Sequence, residues 1–141
     1  MKEKIIPFPI KPNEIVILLS FNLDGATFPE LFEQMGFSVL WAKTYEQTES
    51  LLKRNKPDVA IEWQRYAEDY SILKLVKKYW KETPVLLCPN YSGKPPPDLK
   101  GIGYAGYLTI PMRIQELFDR MYAILTPIKR KLLVELWQEL E

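Results

Sequence analysis

Pro57-Asp58-Val59-Ala60-Ile61-Glu62-Trp63 reads as a proline turn followed by a compact apolar run. The run ends abruptly at the polar pair Gln64-Arg65. So short and so apolar a segment fits a strand buried on both faces, the usual state in a parallel sheet. Helical patterns stand on either side of it, before Asn55 and after Asp69. The run is therefore expected at the centre of an alternating β/α domain. In open α/β sheets, chemistry sits at the carboxyl ends of the strands. Here that end carries Glu62 and the bulky Trp63.

Working outward, the same alternation repeats. Ile15 to Leu19 is a continuous β-rich run and a first strand, followed by a turn-forming stretch with Asn22, Asp24 and Gly25. Thr27-Phe28-Pro29-Glu30 is a capping box with proline just inside the helix start. Phe28, Leu31, Phe32 and Met35 follow at helical spacing, and Gly36 is the expected stop. Ser38 to Ala42 reads as the second strand. Thr44-Tyr45-Glu46-Gln47 opens a helix that ends near Asn55. After the central strand, Ile72, Leu75, Val76, Tyr79 and Trp80 form a helical stripe, and Val85 to Cys88 is the fourth strand. Pro89 to Gly106 then breaks the pattern with Pro95-Pro96-Pro97 and scattered glycines, so an irregular loop with at most one helical turn is expected. Tyr107 to Thr109 is a short fifth strand. Ile114, Leu117, Phe118, Met121, Tyr122 and Leu125 read as the core face of a further helix, and Ile128 to Leu140 as one more amphipathic helix.

At 141 residues, the chain is expected to hold one main domain, bounded at residues 14–125. Residues 1–13 form a proline-punctuated arm or edge strand, and residues 126–141 a helical extension. Composition is that of an ordinary globular protein, 47% hydrophobic and 26% charged. A net charge of +1 favours neither nucleic acid nor an anionic membrane. With no histidine, His-based acid–base catalysis and His metal ligation are excluded. The single Cys88 cannot form an intramolecular disulfide and suits a cytoplasmic setting. Pro7, Pro9 and Pro12 interrupt any signal-peptide core, and no apolar run is long enough to span a bilayer. No cofactor and no metal site is expected.

Several landmarks together resemble the receiver domain of bacterial response regulators. They are Met35-Gly36-Phe37, Lys56-Pro57-Asp58, Thr83-Pro84-Val85 and Gly106-Tyr107-Leu108-Thr109-Ile110-Pro111, in that order and spacing. The resemblance covers roughly Glu14 to Leu125. It implies a flavodoxin-like α/β fold with a five-stranded parallel sheet ordered 2-1-3-4-5, a degenerate fourth helix and an extra C-terminal helix. It also implies a cis Ile110-Pro111 peptide. The family's active residues do not carry over. Its acidic pair after the first strand matches Ser20 and Phe21, and its phosphorylated aspartate matches Trp63. Its switch Ser/Thr matches Pro89, and its lysine matches Ile110. Phosphoryl transfer to a carboxylate needs a metal and a cation on the phosphoryl oxygens. These residue types supply neither.

The chain thus resembles a pseudo-receiver: a non-enzymatic, phosphorylation-independent interaction module in signal transduction or regulation. One alternative is a small-ligand sensor, with a flat apolar molecule held in a crevice of Phe21, Glu62, Trp63 and Ile110. Another is a diverged phosphoacceptor that uses Glu62 with Asp24 on a metal, set against a plain strand-end carboxylate paired with Arg65 or a backbone N–H. The expected partner is a protein, with neither nucleic acid nor membrane involved. The C-terminal helix presents Leu132, Leu133, Leu136, Trp137 and Leu140 along one side. A helix of this length is marginal alone in water, so the stripe must be covered. The hinge at Thr126-Pro127 favours an intermolecular contact, a homodimer or another protein, anchored by Trp137.

Overall fold

The computed structural model describes residues 13–20, 28–64, 70–89, 103–108 and 113–140. Among the described residues there are five strands: β1 (Val16–Ser20), β2 (Ser38–Ala42), β3 (Val59–Gln64), β4 (Val85–Pro89) and β5 (Gly106–Tyr107). They pair in parallel in the order β2-β1-β3-β4-β5. The described helices are α1 (Phe28–Gln34), α2 (Tyr45–Arg54), α3 (Ser71–Tyr79), α4 (Ile114–Ile124) and α5 (Pro127–Leu140). This is the flavodoxin-like arrangement expected from the βα alternation together with the resemblance to receiver domains. The loop expected before β5 and the Ile110-Pro111 peptide lie outside the described residues, as does the arm at residues 1–12.

Local sequence signals account for the element ends. At the start of α2, Gln47 N donates to Thr44 Oγ1 at 3.0 Å, and Lys43 N donates to Gln47 Oε1 at 2.8 Å. The capping box thereby satisfies two donors at the helix entrance. Gly36 ends α1 with φ of 103°, a conformation that only glycine adopts without strain.

Because β3 lies centrally, Val59, Ala60, Ile61 and Glu62 are all buried. Alternation along the strands then builds two cores. Ile17, Leu19, Val59, Ile61, Leu86 and Cys88 face one side, where Phe32, Phe37, Leu117, Phe118, Met121 and Leu133 cover them. Leu18, Ala60, Val85 and Leu87 face the other side, beneath Leu52, Ile72, Leu73, Leu75 and Val76.

Two expectations are corrected on the first face. Ile114 and Tyr122 were expected in the core stripe of α4, yet both are about half exposed. Ile114 is the first residue of the helix and lines an open cleft with Leu31, Met35 and Leu140. Tyr122 instead lies beneath the Arg130 guanidinium, 5.4 Å from the ring centroid, and its carbonyl accepts from Arg130 Nε at 2.8 Å.

The larger correction concerns α5. Its apolar stripe needs no other protein to cover it, because the helix folds back on the parent domain. Leu133 is buried, and Leu132, Leu136 and Trp137 pack against the first core. Trp137 meets Phe118 with ring centroids 5.1 Å apart. Leu136 lies over Gly36, so close that a Cβ at position 36 would stand 2.5 Å from its Cδ2. At the other end, Lys129 Nζ reaches Asp58 Oδ2 at 3.1 Å and also donates to the Glu14 carbonyl. Asp58 Oδ2 accepts in addition from Val16 N at 2.8 Å. The hinge at Thr126-Pro127 thus turns the helix onto the domain. Only Leu140 and Ile128 of its apolar residues, with Val134, stay largely exposed.

Leu133→Ala should lower the unfolding free energy by about 2–5 kcal/mol, the usual cost of truncating a buried leucine. Urea melts at several protein concentrations check this, and the loss should not vary with concentration. A loss that grows on dilution would mean that another chain holds the helix.

Candidate functional site

The carboxyl ends of β1, β3 and β4 meet at one edge of the sheet. Ser20 stands opposite Glu62, and Trp63 opposite Cys88. Of the positions that match the family's phosphorylation site, Ser20 and Trp63 are described. Phe21 and Ile110 lie outside the described residues, as do the side chain of Pro89, Asp24 and Arg65.

Ser20 is buried and bonded. Its Oγ lies 3.2 Å from Thr48 Oγ1. Thr48 Oγ1 gives its proton to the Thr44 carbonyl at 2.8 Å, so the Ser20 hydroxyl is the donor in the first contact. The chain Ser20 → Thr48 → Thr44 ties the end of β1 to the first turn of α2 and brings no negative charge to the edge.

Glu62 is 2% exposed. Its Oε1 accepts from Leu73 N at 2.9 Å and its Oε2 from Ile72 N at 3.2 Å. These are two of the first-turn amides that a helix cannot satisfy internally. The α3 helix has no side-chain cap of its own at Tyr70 and no acidic residue in its first turn. Glu62 fills both deficits from the neighbouring strand, with its charge at the positive end of the helix. Of the two sequence readings, the strand-end carboxylate paired with backbone N–H therefore matches the geometry.

Trp63, one residue on, turns to the opposite face of the sheet, as strand alternation requires. It is half buried and packs against the core under α1, α4 and α5. Cys88, its partner across the ladder, is fully buried. Burial, with the Glu116 charge adding to it, pushes the thiol up to about 12. The protonated, unreactive form therefore dominates at neutral pH. Among the described residues, no group of three or more His, Cys, Asp or Glu side chains could hold a metal ion.

A concavity that the sequence did not point to lies away from this edge. An open apolar cleft of about 350 Å³ runs between α1, α4 and the end of α5. Leu31, Phe32, Met35, Ile114, Leu117 and Leu140 line it.

Two outcomes follow for the sheet edge. Glu62→Ala should leave the Ile72 and Leu73 amides without their acceptor, at a cost of about 1–3 kcal/mol. Faster hydrogen exchange at those two amides is the specific readout. Cys88 should resist a thiol-specific reagent near neutral pH until denaturant unfolds the chain. Rapid labelling of the native protein would contradict its burial.

No protein-family model matches the chain, and no curated protein matches it. Solved structures do match. A response regulator from Thermotoga maritima is 22% identical with a TM-score of 0.62, over 79% of this chain and 97% of that one. The non-phosphorylated HemR receiver domain from Leptospira biflexa is 26% identical with a TM-score of 0.63, over 79% and 94%. The Vibrio cholerae chemotaxis protein CheY4 is 17% identical with a TM-score of 0.64, over 79% and 99%. These three structural neighbours are response-regulator proteins, and the fold they share with this chain is the one described above.

Proposed function

We propose that the chain is a non-enzymatic, receiver-like interaction module of signal transduction or regulation that works without phosphorylation. The receiver fold supports the signalling role. One observation carries the finer reading: the side chain that matches the family's phosphoacceptor is the indole of Trp63. An indole cannot take a phosphoryl group as an acyl phosphate. The adjacent carboxylate, Glu62, points to the other face and is engaged by two amides of α3. Using it as an acceptor would uncap that helix. Ser20, at a position where the family holds Mg²⁺, is a buried hydroxyl donating to Thr48.

The small-ligand reading has less behind it. Its crevice needs Trp63 free to stack, whereas Trp63 packs on the core. Its polar group is Glu62, already engaged. The diverged-acceptor reading meets the same obstacle at Glu62. Output from such a module is a binding event, so its partner is a protein that reads the surface of the fold.

Incubation with acetyl phosphate and Mg²⁺ tests the reading, with intact mass as the readout. No phosphoryl adduct should form. An adduct would refute phosphorylation independence, and its location at Glu62 would establish the diverged acceptor.

A further inference from the structure

The two edges of the sheet are handled differently. β5 closes one edge with only two residues, and shortness is one way of blunting an edge. β2 closes the other with five. It contains no proline, no charge and no irregularity in its register with β1. Ser38 N donates to the Ile15 carbonyl, so Ser38, Leu40 and Ala42 turn their backbone groups towards β1. Val39 and Trp41 therefore direct their N–H and C=O groups outward. Among the described residues, no strand pairs with that side. The Trp41 side chain is exposed, with Lys43 Nζ 4.6 Å above its ring.

We infer that the β2 edge is a homodimer interface, in which β2 pairs antiparallel with β2 of a second copy about a two-fold axis at Leu40. Val39 and Trp41 of each copy then face the second copy's Trp41 and Val39 as hydrogen-bonded pairs, which exchange both of their backbone bonds. The edge is self-complementary in this register, as a two-fold interface must be.

Charge selects a second copy as the occupant. The register sets Lys43 opposite the second copy's Phe37, three residues beyond the end of α1. That helix end carries Glu33 and no basic residue in its last turn, an arrangement the helix dipole disfavours. Among the described residues, neither Glu33 nor the Lys43 ammonium has an ion-pair partner. Pairing supplies each α1 terminus with the cation it lacks, twice over by symmetry. Lys43 lies over Trp41, whose neighbour Val39 packs on the core beneath α1, so the cation is on the correct face.

This inference names the partner for the interaction role proposed above and rests on that role. Its readout is mass in solution rather than phosphoryl uptake, so either can fail alone. Sedimentation equilibrium of the full chain should show a dimer. Lys43→Glu, at an exposed position, should weaken it about tenfold or more, since like charges then face each other. Adding Glu33→Lys to that variant should restore it. Leu40→Cys should give a disulfide-linked dimer under mild oxidation, because the two Leu40 positions meet on the axis and Cys88 is buried. A monomeric wild type overturns the inference. So does a dimer that neither responds to the charge swap nor cross-links at position 40.

Discussion

One buried carboxylate fixes the geometry of the sheet edge. Glu62 sits in the central strand among apolar neighbours, where an unpaired charge would be strongly unfavourable. It is tolerated because Ile72 and Leu73 donate to its two oxygens. The same contact supplies the cap that α3 lacks. Strand and helix therefore hold each other in place, and the alternation of β3 sends Trp63 to the opposite face. The position beside this acid is filled by an indole. At this edge the Glu62 carboxylate holds α3, and Trp63 packs on the first core.

A second constraint operates at the other end of the strands. Asp58, in the turn before β3, accepts from Val16 N and from Lys129 of α5. The start of the last helix is thereby attached to the first strand and the central one. Trp137 on Phe118 and Leu136 over Gly36 fix its far half. Gly36 serves twice, since its positive φ ends α1 and its missing side chain admits Leu136. Fully burying a leucine contributes about 1.5–3 kcal/mol, so Leu133 with its half-buried neighbours is sufficient to hold a helix of this length. The extension is an integral third element of the helical layer beside α1 and α4.

The element types and their sequence along the chain were legible because they depend on local signals, while the strand order in the sheet came from the resemblance to receiver domains. The apolar run at Val59–Ile61, the capping box at Thr44–Gln47 and the stop at Gly36 each act within a few residues. What was not legible depends on contacts distant in sequence. Nothing near Glu62 announces that Ile72 and Leu73 will close on it. The stripe of α5 is visible in sequence, but its destination is decided by Lys129 and Asp58, 71 residues apart. For the same reason Ile114 and Tyr122 fit the helical period yet fall outside the core. Periodicity assigns a face, and only packing decides where that face ends.

Central to this account is that the edge formed by Ser20, Glu62 and Trp63 is inert to a phosphoryl group and its metal. Amide NMR spectra recorded with Mg²⁺ and beryllofluoride, a mimic of the phosphoryl group, test it most directly. The account predicts unchanged amide shifts at Ser20, Glu62, Trp63, Ile72 and Leu73. Saturable shifts centred on those residues would contradict it, because they would show the edge still binding what the scaffold role excludes.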